Sequence, residues 1–84
     1  MAYANTTLIV GHDSEPMQFL SNILVSEGFS VQTASSGEEA LRITSTYSPG
    51  LMAIETDLPD MSGLEVCRRL KNRKETRDIP VVFL

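Results

Sequence analysis

Leu51-Met52-Ala53-Ile54-Glu55-Thr56-Asp57-Leu58-Pro59-Asp60-Met61-Ser62-Gly63 is the stretch on which the reading of this chain turns. The apolar run Leu51 to Ile54 suits a strand buried on both faces. Glu55 follows where that strand would end. Asp57, Pro59 and Asp60 mark a loop, and Gly63 opens a helical pattern. In an open α/β sheet, chemistry gathers beyond the carboxyl ends of the strands, so Glu55 stands where a working carboxylate would stand.

The segments on either side repeat this alternation. Thr6 to Val10 reads as a first strand, β-branched and apolar, ended by Gly11. Gly11-His12-Asp13-Ser14 is a loop at that strand's carboxyl end. Ser14 caps a helix over about 15–27, with Glu15 and Pro16 in its first turn and Gly28 at its end. Met17, Leu20, Ile23 and Leu24 form its apolar side. Phe29 to Thr33 alternates as a second strand. Ser36 and Glu39 have capping-box spacing and start a helix that runs to about Tyr47, burying Ala40, Leu41 and Ile43 or Thr44. Pro49-Gly50 breaks it. A third helix over about 63–72 buries Leu64, Val66, Cys67 and Leu70. After a charged connector, Ile79 to Leu84 is a fourth apolar strand. The order β-α-β-α-β-α-β predicts a parallel sheet with right-handed crossovers and helices on both faces.

Composition narrows the classes of function. The chain has 84 residues and reads as one small, C-terminally incomplete domain spanning 1–84. The expected burial is about 60–65% of the unfolded surface, a thin margin. No apolar run is long enough to span a membrane, and the N-terminus lacks a signal-peptide pattern. The single cysteine, Cys67, has no internal disulfide partner, and a cytoplasmic location is expected. The net charge of −4 divides unevenly: residues 1–67 hold nine acids and one base, whereas residues 68–84 hold six bases and two acids. The acidic part argues against nucleic acid as a general partner. The basic run Arg68, Arg69, Lys71, Arg73, Lys74 and Arg77 has no interleaved aromatics and reads as a solvated helix face and loop. Cys67 falls on the apolar side of its helix, as a small core residue.

Four pieces together resemble the receiver domain of bacterial response regulators, the CheY-like (flavodoxin-like) fold. They are Leu8-Ile9-Val10, the run from Ala34 to Leu41, the run from Asp57 to Leu70, and Asp78 to Leu84. The resemblance implies an open parallel sheet of strand order 2-1-3-4, without the family's last strand and last two helices. It also implies two-component, phosphorelay signalling, with a histidine kinase or an output domain as partner and no enzyme activity of its own. The family accepts a phosphoryl group on an aspartate that closes the third strand; the matching position here is Glu55. The family's Mg²⁺-holding acidic pair maps onto Gly11 and His12, leaving Asp13 as the nearby acid. The metal-binding carbonyl maps onto Asp57. The serine or threonine after the fourth strand and the lysine after the fifth have no counterpart in this chain.

These departures set the functional expectation. A glutamate carboxylate lies roughly 1.5 Å further from the backbone than an aspartate carboxylate, and misplacing a reacting group by about 1 Å can reduce a rate around 100-fold. Mg²⁺ demands near-octahedral oxygen ligands, and phosphoryl transfer depends on cations to neutralise developing charge. The chain is therefore expected to be an unphosphorylated receiver acting as a protein-interaction module, with no cofactor. The alternative is an active phosphoacceptor using Mg²⁺, whose ligands would be Asp13, Glu55 and Asp57. An unrelated flavodoxin-like binding protein is a more distant reading, without the glycine-rich loops of a nucleotide site. Glu55 either imitates the phosphorylated state or is merely solvated. His12 and Glu55, ending neighbouring strands, are expected either to join imidazole to carboxylate or to leave His12 turned out to solvent. The open fourth-strand edge and the uncovered sheet face are expected to be covered by a homodimer, or else the sequence is a piece of a longer protein whose remaining residues cover them.

Overall fold

The computed structural model describes residues 2–12 and 14–84, the first three of these by backbone alone. Its elements are β1 (Ala2–Val10), α1 (Glu15–Ser26), β2 (Ser30–Ala34), α2 (Gly37–Thr44), β3 (Ser48–Ile54), α3 (Gly63–Lys71) and β4 (Val81–Phe83). All pairings are parallel, as the alternation of elements predicts, and the strand order is β2-β1-β3-β4, as the family resemblance implies.

Alternation along the central strands divides the core between the two sheet faces. Leu8 and Val10 of β1, with Met52 and Ile54 of β3, pack against Ala40 and Leu41 of α2, Val66 and Leu70 of α3, and Ile79. On the other face, Ile9 and Ala53 meet Met17, with Leu20, Leu24 and Val31 around them, so α1 covers that side. The register Val10↔Ile54 between β1 and β3 aligns the strand ends from which the site is built.

Several boundaries move for local reasons. β1 and β3 both start earlier than expected, pairing Ala2 with Ser48 and Tyr3 with Pro49 before the register shifts at Thr7↔Leu51. Pro49 thus lies in a strand beside an irregularity in pairing, where a missing N–H is tolerated. Helix α2 stops at Thr44 instead of Tyr47. The Ser45 hydroxyl donates to the Arg42 carbonyl at 2.6 Å and the Thr46 hydroxyl to the Ile43 carbonyl at 2.7 Å, which satisfies groups that a further helical turn would have used. The fourth strand is shorter than 79–84: Ile79 packs in the core ahead of it. Three apolar assignments are corrected: Cys67 is only half-buried and lies outside the core clusters, and two others are exposed. Leu64, at the first turn of α3, is 64% exposed, because Val66 and Leu70 define the buried side of that helix; Ile23 of α1 is likewise exposed.

The basic run is mostly committed to local contacts. Arg68 and Arg69 both reach Glu65, Lys71 Nζ donates to the carbonyls of Arg77 and Ile79, and an Arg73 guanidinium nitrogen donates to the Leu41 carbonyl. The buried Thr76 hydroxyl donates to the Leu70 carbonyl at 2.6 Å. These bonds close the connector between α3 and β4 with the side chains that looked most available to a partner.

Candidate functional site

The site forms at the carboxyl ends of β1 and β3. The Glu55 N–H donates to the Val10 carbonyl at 2.9 Å, extending the ladder one step past β3. Adjacent strands lie about 4.8 Å apart, so a side chain leaving β3 at this point is within reach of the loop after β1. The extra methylene of glutamate carries the carboxylate across that gap. Glu55 Oε1 accepts the His12 main-chain N–H at 2.7 Å, and Oε2 accepts the Ser14 hydroxyl at 3.3 Å. The Ser14 oxygen also accepts from the Met17 N–H and so caps α1.

This corrects the expected imidazole–carboxylate pair. His12 does meet Glu55, but through its backbone; the residue itself is exposed. A main-chain N–H at the end of a strand is a fixed donor, whereas an exposed ring must lose rotational freedom to bond. Gly11 explains the close approach. A Cβ placed there would fall on the Glu55 side chain, less than 3 Å from its Cγ and Cδ.

The remaining positions are divided. Asp57 is exposed and forms an isolated antiparallel bridge with Ser62, which closes the loop between β3 and α3. Asp13 lies outside the described residues. Gly63 sits under the strand end: its N–H donates to the Thr56 carbonyl at 2.8 Å, and a Cβ there would run into the Glu55 carbonyl oxygen. Among the described residues, no cluster of three or more His, Cys, Asp or Glu side chains is placed to hold a metal ion. Among the described residues the donor set does not fit the family's Mg²⁺: Gly11 offers no side-chain ligand and both Glu55 oxygens already accept hydrogen bonds.

Asp60 is the residue that sequence reasoning passed over. Its two oxygens accept the N–H groups of Gly37 and Glu38 at 2.9 and 2.8 Å. Ser36 takes the Glu39 N–H at 3.1 Å, and the Ala40 N–H returns to the Ser36 carbonyl. The first-turn donors of α2 are thereby all satisfied, two of them by the β3–α3 loop. The Glu38 N–H, followed by that of Gly37, holds the Asp60 carboxyl below its usual range. The capping box expected at Ser36 is displaced: Glu39 accepts from the Ser35 N–H and hydroxyl instead, and the Ser35 N–H leads in lowering its pKa. On α3, the hydrogen bonds of Arg68 and then Arg69 draw Glu65 down to about 2. The signal for Asp60 was present as an acid in a loop near Ser36-Gly37 in a parallel topology, but only the crossover geometry pairs them.

Comparison with known proteins agrees with this architecture. The family pattern described as the response regulator receiver domain matches residues 7–84. The chain is 37% identical over 78 residues to the phosphate regulon transcriptional regulatory protein PhoB of Rhizobium meliloti, covering 92% of this chain and 34% of that protein. It is 32% identical over 77 residues to the polar-differentiation response regulator DivK of Brucella ovis, covering 92% of this chain and 63% of DivK. Among solved structures, it resembles the signal receiver domain of a signal transduction histidine kinase from Syntrophus aciditrophicus, with a TM-score of 0.88 and 33% identity over 96% of this chain and 61% of that one. The chain thus spans from about a third to less than two thirds of the length of these proteins. With sheet order, site position and sequence in agreement, this chain belongs to the response regulator receiver domain family.

Proposed function

We propose that this chain is a receiver of two-component signalling that takes up no phosphoryl group and acts through protein contacts. The observation that carries this reading is the placement of Glu55. Its carboxylate turns back onto the His12 N–H and the Ser14 hydroxyl, in the loop onto which the resemblance maps the family's metal-holding pair. Such an acid is a poor nucleophile toward phosphate, because its charge is already engaged by two donors. The negative group at the carboxyl end of β3 instead holds the His12 N–H and the Ser14 hydroxyl, an arrangement that a partner can read without phosphorylation. No catalytic turnover is assigned to it.

The partners are signalling proteins, a histidine kinase or an output domain, and the setting is the bacterial cytoplasm. Contact with a second copy of this chain is part of the same proposal. Sedimentation tests the homodimer: a monomer at all concentrations removes it.

Incubation with acetyl phosphate and Mg²⁺, followed by intact mass, tests the central reading. The expected result is an unchanged mass. Gain of one phosphoryl group establishes the alternative, an active phosphoacceptor with Asp13, Glu55 and Asp57 around Mg²⁺.

A further inference from the structure

We infer that Gly11 is a positioning residue for Glu55, and that the two act as one latch closing the β1–α1 loop onto β3. The site has two halves that fit only each other. A side chain at position 11 would occupy the volume that holds Glu55 Cγ and Cδ. Conversely, a shorter acid at 55 would leave the His12 N–H and the Ser14 hydroxyl without the acceptor they now share. The absence of a side chain at 11 is thus the condition under which a glutamate at 55 can fold inward. With any larger residue at 11, Glu55 must swing out toward solvent, releasing both donors. What a partner meets at this end of the sheet is therefore set by residue 11 acting through residue 55.

The latch deepens the reading above and rests on it only in taking Glu55 as the resident of the cradle. Its test is a double-mutant cycle with Gly11→Ala, Glu55→Ala and the pair, read by amide hydrogen exchange at His12 and by equilibrium unfolding. Either single substitution is expected to lower His12 protection by about 10-fold or more, the loss of a hydrogen bond to a charged acceptor. The pair is expected to lower it no further. Glu55→Gln, which keeps an acceptor oxygen, should retain part of the protection. If Gly11→Ala fails to fold and the pair folds, the coupling is confirmed more strongly still. Losses of His12 protection that add overturn the latch; Gly11 lies at φ +159°, so a stability loss from Gly11→Ala that remains without Glu55 reports backbone strain and is read apart from the coupling. Phosphorylation of the native chain with the cycle still coupled overturns the proposed function alone. An uncoupled cycle with no phosphorylation overturns the latch alone.

Discussion

Glu55 and Asp60 lie five residues apart in one loop, and each carboxylate accepts two hydrogen bonds from groups distant in sequence. They differ in what they bind. Asp60 receives two adjacent main-chain N–H groups at a helix N-terminus, where the backbone dipoles converge. Glu55 receives one main-chain N–H and one long hydroxyl contact that is shared with a helix cap. Asp60 is therefore part of the scaffold, tying the β3–α3 loop to the first turn of α2. Glu55 is a side chain laid into a place where another group can be imagined, which is the mark of a site and not of a joint.

The contrast can be tested from its hinge to its margins. Gly63→Ala should have the largest effect, since its Cβ meets the Glu55 carbonyl and the Ile54 side chain, and a backbone atom cannot yield as a side-chain tip can. A loss of about 3 kcal/mol in denaturant unfolding is expected, at the upper end for forced overpacking; a loss below about 1 kcal/mol would mean that the two carboxylates do not depend on a shared rigid loop. Asp60→Ala should come next, lowering exchange protection of the Gly37 and Glu38 amides on the order of 10-fold while His12 is unaffected. Equal loss at His12 would show that the two carboxylates form one network.

The smallest effect is that of acid. Asp60, Glu39 and Glu65 all have lowered pKa values in the folded chain, so each contributes stability that is fully present above its ordinary pKa and is lost as pH falls through the folded value. For Glu65 that window runs from 4.5 down to about 2. A shallow decline in melting temperature below about pH 4.5 is expected, shallow because these groups are solvent-exposed. A stability that rises on acidification would contradict the assignment.

Much of this was legible in the linear chain. Leu8-Ile9-Val10 and Met52-Ala53-Ile54 are central strands because apolar runs of that length have to be covered on both sides, and Ser14 and Ser36 cap the helices they precede. The position of Glu55 at a strand end followed from the same pattern. The ends of α2 and β4 were less legible, since hydroxyls bonding back to carbonyls and a core isoleucine ahead of its strand leave no periodic trace. Leu64 misled because a helix near its N-terminus can show an apolar residue to solvent when two later residues already define the buried face.

Residue order and spacing were enough to establish the alternation of strands and helices, the parallel sheet and the family, because hydrophobic period and capping chemistry are local. Where the Glu55 carboxylate goes, and that Asp60 belongs to α2, was decided only when the crossovers brought separate loops to one end of the sheet. A hydrogen bond depends on distance and direction in space, and neither is written in the separation of two residues along a chain.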